Sequence, residues 1–238
     1  MDISLKAALE LGRRDAAPQG RPSAATHIHD ELRQRILSLD LPPGTNLLRA
    51  ELARQFDVSV TPLRDALQRL EADGLVKIYP QSRTQVTRID TALVHEGHFL
   101  RRALETEVVR RLATDGAPKA VERARSIIEL QKSIQNDDER LRLFQELDEL
   151  FHRTLFDGAG QIALHDLIRS RAGHLDRVRR LQRHSPRKIR AILDGHLEIV
   201  SAIEARDVAG ALAAIRGHLR KSPDWVDEYR EAHEDYFA

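Results

Sequence analysis

The stretch PPGTNLLRAELARQFDVSVTPLRDALQRLEADGLVKIYPQSRTQV, residues 42–86, decides how the N-terminal part of this chain folds. The spacing of its apolar residues predicts two short helices, 49–56 and 61–73, which are joined by a tight connection. Thr61 is placed to cap the second helix, and Gly74 is typical of the residue that ends one. The stretch therefore begins with a helix-turn-helix pair.

Residues 75–88 alternate between apolar and polar side chains, which predicts a two-stranded hairpin with its tip near residues 80–83. Two helices followed by a hairpin form a winged helix-turn-helix, whose second helix fits the major groove of DNA. The segment from Arg49 to Arg88 contains seven Lys and Arg residues and five Asp and Glu residues. This small excess does not by itself distinguish a DNA-binding surface from ordinary solvated charges.

The rest of the chain extends this motif on both sides. A helix at 23–39 precedes it, whereas residues 1–22 lack sustained periodicity and are interpreted as a mobile tail. After it, the pattern predicts helices at 91–114, 118–135, 138–157, 161–183, 186–205 and 207–221, with Gly, Pro, Asn or Asp at the breaks.

We therefore predict a mainly α fold. Its parts are a mobile tail at 1–22, a winged helix-turn-helix at 23–89, an all-α antiparallel helical bundle at 91–222 and a charged C-terminal tail at 223–238.

Composition excludes several classes of protein. The 238 residues carry a net charge of +1, so any nucleic-acid surface must be a local patch. The absence of cysteine rules out disulfides and thiolate-bound zinc. Neither a signal peptide nor a run of eighteen apolar residues is present, which predicts a cytoplasmic protein with no membrane partner.

The run 42–86 closely resembles the DNA-binding domain of the GntR family of regulators, and the resemblance covers about residues 26–89. The matching elements are Pro43-Gly44, Leu47, Glu51-Leu52-Ala53, Val58-Ser59, Thr61-Pro62-Leu63-Arg64, Ala66-Leu67, Arg69-Leu70 and Gly74-Leu75-Val76. The resemblance implies that the residues in contact with DNA are Arg49, Ser59, Thr61 and Arg64. Many members carry arginine where this chain has Val60 and glycine where it has Arg83, so we add the charged Arg83 to the predicted contacts.

Three apolar stripes in the second half of the chain are interrupted by polar residues. The interrupting residues are Asp148 and His152 on helix 138–157, His196 on helix 186–205 and His218 on helix 207–221. Asp148 and His152 are four residues apart, so they share one helix face. If the stripes converge, their oxygen and nitrogen donors suit Zn²⁺, and also Ni²⁺, Mn²⁺ or Fe²⁺. Spacing alone leaves a metal site and a set of separate, hydrogen-bonded core histidines equally open.

The bundle resembles the FCD ligand-binding domain, which follows the GntR head in one large subgroup, over about residues 92–220. The matching pieces are Arg101, Leu104-Glu105, Asp148-Glu149-Leu150-Phe151-His152, His196 with Ile199, and His218-Leu219. The resemblance implies that Asp148, His152, His196 and His218 bind a divalent metal, with Zn²⁺ favoured. It also implies that Arg101 clamps a small organic-acid or sugar-acid effector. The family usually has an acidic residue directly before the second histidine, but this chain has Gly195 there. The residue that would hydrogen-bond to His196 is therefore not identified from the sequence.

Together these features predict a homodimeric transcription regulator, expected to be a repressor, that binds a double-stranded DNA operator and is not an enzyme. Two alternatives remain open at this stage. One is a metal-dependent hydrolase-like enzyme, in which the metal activates water. The other is a sensor of the metal ion itself.

Overall fold

The computed structural model describes residues 23–80, 83–134, 141–181, 185–220 and 225–238. The predicted tail at 1–22 and two residues of the predicted wing tip, 81–82, lie outside the described residues. The described part is mainly helical, as predicted. None of its helices is both long enough and apolar enough to cross a membrane.

The N-terminal head contains three helices and a three-stranded antiparallel sheet. In chain order these are α1 (Ala24–Leu37), β1 (Asn46–Leu47), α2 (Arg49–Gln55), α3 (Val60–Ala72), β2 (Val76–Ile78) and β3 (Thr84–Val86). The strand order is β1-β3-β2, and the sequence analysis did not predict the short β1. Leu32 of α1 and Leu67 of α3 are fully buried in the core of the head. The head is therefore a winged helix-turn-helix with its own core.

The ends of α3 follow from local backbone chemistry. Ser59 has the extended backbone of an N-cap, so the helix begins at Val60, and the predicted cap at Thr61 is wrong. Gly74 has a φ of 72°, which confirms its predicted role as the left-handed residue that ends the helix.

The C-terminal part is a helical bundle. Its helices are α4 (Thr91–Asp115), α5 (Pro118–Ile134), α6 (Leu141–Gly158), α7 (Ile162–Arg171), α8 (Gly173–Leu181), α9 (Pro186–Glu204), α10 (Val208–His218) and α11 (Trp225–Ala232). Helix α9 packs on α10 and α5, α6 packs on α5, and α10 packs on α4. Buried apolar residues such as Val109, Phe151 and Val200 fill the space between these helices.

The single helix predicted at 161–183 is instead two helices, with the break next to Gly173. A Cβ at Gly173 would lie 2.6 Å from Leu75 Cδ2, so only glycine lets the bundle approach the head this closely. Glycine also weakens a continuous helix at this point. The last two predicted residues of that helix, 182–183, lie outside the described residues.

The predicted charged tail is also wrong over its described part, residues 225–238. Trp225, Val226 and Phe237 are buried against Ile89 and Val94, so this segment covers the junction between head and bundle. Ile89 donates its N–H to the Tyr236 carbonyl at 2.7 Å and accepts a hydrogen bond from the Ala238 N–H at 3.0 Å. A few apolar residues among many charges are enough to anchor the segment.

Candidate functional site

The four predicted metal ligands come together in the core of the bundle. Helix α6 supplies Asp148 and His152, α9 supplies His196, and the last residue of α10 is His218. Each residue offers one ligand atom, and all four atoms lie within 4.8 Å of one another. The first three side chains are buried and His218 is half-buried. Three helices that are distant in sequence therefore converge on one polar point.

The ring nitrogens point toward a shared centre. His218 Nε2 lies 3.3 Å from His152 Nε2, and His196 Nε2 lies 3.4 Å from Asp148 Oδ1. The buried His196 Nε2 has no hydrogen-bond partner among the described residues. Such an atom is costly to leave unpaired, and a bound cation would satisfy it.

The other ring nitrogen of two histidines faces an acceptor. His152 Nδ1 lies 2.6 Å from Glu105 Oε2, and His196 Nδ1 lies 3.0 Å from Gln131 Oε1. An acceptor on Nδ1 holds the proton there and directs the lone pair of Nε2 toward the centre. The His196 ring is thus oriented as a metal ligand usually is, and the His152 ring has the Glu105 carboxylate beside its Nδ1.

Electrostatics favours the protonation state that a metal needs. Burial lowers the pKa of His196 and holds the pKa of His218 well below its usual value, so both rings are neutral near pH 7. Burial alone would raise the pKa of Asp148, but the charge of Arg179, whose Nη2 donates to Oδ2, holds it well below its usual range. Three imidazoles and one carboxylate are a donor set that fits a divalent metal such as Zn²⁺.

Two supporting residues, Gln131 and Arg179, were missed in the sequence. Gln131 is fully buried on α5, on the stripe formed by Ile127, Ile128 and Ile134, and this polar interruption was a signal that could have found it. Arg179 donates to Asp148 Oδ2 at 2.5 Å from α8, a contact between helices that sequence spacing does not encode.

Gly195 makes room for the site. A Cβ at this position would lie 2.8 Å from His218 Nδ1, closer than the ring tolerates. The residue expected here from the family resemblance is an acid, and Gln131 supports His196 instead.

A cavity of about 1410 Å³ opens beside the four ligands, between the head and the bundle. Its lining includes Asp148 and His218, the cations Arg101, Arg179, Arg180 and Lys188, and Arg33 and Asp73 from the head. The predicted effector residue Arg101 is 7% exposed, and its Nε donates to Glu105 Oε1 at 2.5 Å. Arg101 therefore holds the Glu105 carboxylate, which faces His152. Arg101 itself also borders the cavity.

The five predicted DNA contacts lie on the head. Arg49, Ser59, Thr61, Arg64 and Arg83 are all exposed. Ser59, Thr61 and Arg64 cluster at the N-terminus of α3, where free backbone N–H groups attract phosphate.

Two contacts and one exposed apolar residue shape this face. Arg49 Nη2 donates to Thr84 Oγ1 at 3.3 Å and so ties α2 to the wing. The Arg83 guanidinium lies over the Tyr79 ring, 4.8 Å from its centroid. Val60, where arginine is common in the family, is a 67% exposed apolar residue on the same face.

Comparison with known proteins adds independent evidence. The family "Bacterial regulatory proteins, gntR family" matches residues 24–86, and the FCD domain family matches residues 96–221. An uncharacterized HTH-type transcriptional regulator of Streptomyces ambofaciens is 35% identical over 211 residues, which is 89% of this chain and 88% of the relative. The HTH-type transcriptional repressor RspR of Escherichia coli K12 is 31% identical, over 89% of this chain and 92% of its own length.

Among solved structures, E. coli McbR/YncC superposes with a TM-score of 0.73 at 18% identity. The superposition covers 88% of this chain and 99% of the other. At that identity the likeness concerns the fold alone.

Proposed function

The chain belongs to the GntR family of bacterial transcription regulators, in the group with an FCD domain, and on this basis we propose a repressor controlled by a small carboxylate effector at a divalent-metal site. The proposal assigns residues 23–89 to DNA binding and 91–222 to regulation. Separate hydrophobic cores in the head and the bundle support this division. We further propose that the protein acts in the cytoplasm, where bacterial operators are found.

The convergence of Asp148, His152, His196 and His218 within 4.8 Å carries the proposal. The Nε2 atoms of His152 and His218 face each other, and His196 Nε2 has no hydrogen-bond partner within the described ranges, which supports a shared cation over separate core histidines. Zn²⁺ is the favoured metal because the set combines three nitrogens with one oxygen. When bound, the metal supplies an electrophilic position for a carboxylate oxygen of the effector.

The chemistry of the cavity supports an anionic effector. Arg101, Arg179, Arg180 and Lys188 line the space beside the ligands, and guanidinium groups suit carboxylates. A small organic acid or sugar acid would meet the metal at one end and these cations at the other.

DNA binding is proposed to involve two copies of the chain. Each head presents α3 and the residues Arg49, Ser59, Thr61, Arg64 and Arg83 to one half-site of a pseudo-palindromic operator. A homodimer with two-fold symmetry places two such heads on one duplex.

Metal analysis tests the site directly. The purified chain is expected to retain about one Zn²⁺ per chain by elemental analysis, because buried donors exclude water and stay ordered. Asp148→Asn and His196→Ala are each expected to lose it while keeping a cooperative melting transition. His95→Ala, which removes an exposed histidine on α4, is the control and should retain the metal. Unchanged metal in both site variants would contradict the proposal.

The effector is tested separately on the metal-loaded chain. Release of DNA by organic acids, compared with Zn²⁺ alone, distinguishes an effector-controlled repressor from a sensor of the metal. Release by Zn²⁺ alone, with no further effect of any acid, would contradict the effector part. Metal-dependent turnover would favour the enzyme alternative.

A further inference from the structure

Helix α8 lies between the four-ligand site and the DNA-binding head. Arg177 and Arg179 are two residues apart, so they project to nearly opposite sides of this helix. Arg179 points to the site, where its Nη2 donates to Asp148 Oδ2 at 2.5 Å. Arg177 points to the head. One short helix therefore contacts both functional parts of the molecule.

His174 binds two backbone groups at the edge of the head. Its Nδ1 accepts a hydrogen bond from the Asp90 N–H at 2.9 Å, and its Nε2 lies 3.3 Å from the Gly74 carbonyl. A neutral ring with its proton on Nε2 satisfies both contacts at once. Burial, together with the charge of Arg177, lowers the pKa of His174 to about 4, so the ring is neutral near pH 7.

Arg177 makes the second attachment. The side chain is fully buried, its Nη1 donates to the Thr87 carbonyl at 2.5 Å, and its Nη2 donates to Thr87 Oγ1 at 3.3 Å. Thr87 follows the wing strand β3, and its hydroxyl lies 2.7 Å from the Gly74 carbonyl at the end of α3. Helix α8 thus holds the base of the wing and the end of α3, the helix proposed to read DNA.

At the site, the two oxygens of Asp148 have different neighbours. Oδ1 lies 3.4 Å from His196 Nε2, toward the centre of the four ligands, whereas Oδ2 accepts from Arg179. A divalent cation at the centre would share the charge of this carboxylate and repel the guanidinium. The attraction that holds Arg179, and with it α8, would then weaken.

We propose that Arg179 and helix α8 connect the metal site to the head: metal at Asp148 loosens Arg179, and α8 passes the change to Gly74, Thr87 and Asp90 through His174 and Arg177. The inference rests on the proposed metal site. It assigns Arg179 a positioning role that neither the family match nor the four-ligand cluster requires. Helix α8 is then the element whose position depends on both the four-ligand site and the head. Coupling between two sites requires such a shared element.

Amide hydrogen exchange of the full chain tests this link. Peptides spanning 87–94 report on the Asp90 N–H, which His174 protects. Saturation of the EDTA-stripped protein with Zn²⁺ is expected to speed exchange there by about threefold to tenfold, the range typical of coupling between sites. In Arg179→Met, Zn²⁺ should still bind, and at least as tightly as in the wild type, because the guanidinium that the metal would repel is gone. Saturating Zn²⁺ should then leave exchange at 87–94 unchanged.

Arg171→Met is the control, because Arg171 is an exposed arginine at the end of α7, next to α8. It should keep the full response. Arg179→Lys retains a cation and should restore part of it, and thermal melts show that each variant is folded. A response in Arg179→Met equal to that of the wild type, or a lost response in Arg171→Met, would refute the link while leaving the metal site standing. Failure of the wild type to bind Zn²⁺ would instead refute the site itself.

Discussion

At the scale of single residues, the candidate site depends on its four ligands and equally on the neighbouring residues that orient the ligand rings or leave space for them. Gln131 and Glu105 face the Nδ1 atoms of His196 and His152. Gly195 leaves the space that the His218 ring occupies. The departure from the family pattern at Gly195 is therefore offset by Gln131 on a different helix.

Gly195→Ala is expected to weaken Zn²⁺ binding by about tenfold or more, because its Cβ would displace a ligand ring and site geometry tolerates little displacement. Gly217→Ala is the matched control, since a Cβ at Gly217 meets nothing within 4 Å. It should keep the metal and gain up to about 1 kcal/mol of stability from better helix propensity. Competition with a Zn²⁺ chelator measures affinity, and urea unfolding measures stability. Equal affinities in the two variants would argue against the role of Gly195.

At the scale of elements, the sequence predicted most helices but not all of their limits. Regular apolar spacing identified α4, α5, α6, α9 and α10, because each buries one stripe in the bundle. The break before α8 was missed because it depends on Leu75 approaching Gly173 from a distant part of the chain. The C-terminal segment was taken for a tail because charges outnumber Trp225, Val226 and Phe237, which still anchor it.

In the candidate site too, residues on regular stripes could be predicted, and contacts set by the packing of distant helices could not. The interrupted stripes predicted that Asp148, His152, His196 and His218 meet if the three helices converge, and the structure brings them together. Stripe analysis could not pair Arg179 with Asp148, since the two lie on helices whose relative placement is set by packing.

The prediction for DNA binding concerns helix α3, which we propose reads the operator. Arg64→Ala is expected to weaken binding about tenfold and to reduce the slope of log K against log salt by about one, as loss of one phosphate contact would. The DNA is a duplex that the wild-type chain selects from a random pool, and fluorescence anisotropy at several salt concentrations gives both values.

Arg111→Ala, which removes an exposed arginine from α4 in the bundle, is the control and should bind as the wild type does. An unchanged salt slope in Arg64→Ala would exclude a phosphate contact by this residue. Titration at high concentration should saturate at two chains per duplex, and one chain per duplex would contradict the proposed dimer.

At the scale of the whole molecule, polar groups buried at the junction join head and bundle. Besides His174 and Arg177, Arg33 of α1 donates to the Arg169 carbonyl at the end of α7, at 2.5 Å. Burial lowers the pKa of Arg33, although Asp176 and Asp73 partly offset this effect. The junction is therefore held by buried polar contacts with specific partners on both sides.

Stability of the junction should depend on pH through His174. The folded protein lowers the pKa of this residue from 6.5 to about 4, so between these values the unfolded chain binds a proton that the folded chain does not. The free energy of unfolding should therefore fall as pH decreases from 6.5 toward 4, by roughly 3 kcal/mol from this residue.

His174→Gln should remove this part of the pH dependence, because glutamine can accept and donate at the same positions without titrating in this range. Urea unfolding of the metal-free protein at several pH values gives the comparison, with His95→Gln as the control. A pH dependence in His174→Gln identical to that of the wild type would show that His174 does not contribute.

The hydrogen bonds between Ile89 and residues 236–238 have a consequence for how the heads can move. Ile89 separates the wing from α4, and it is fixed on both sides by backbone bonds. A reorientation of the head that keeps these bonds pivots N-terminal to Ile89, around Thr87 and Arg88, and requires the contact between Arg177 and Thr87 to loosen. We expect such a pivot to change the tilt of the two heads in a dimer far more than their separation, so that regulation would act by misaligning α3 with the groove.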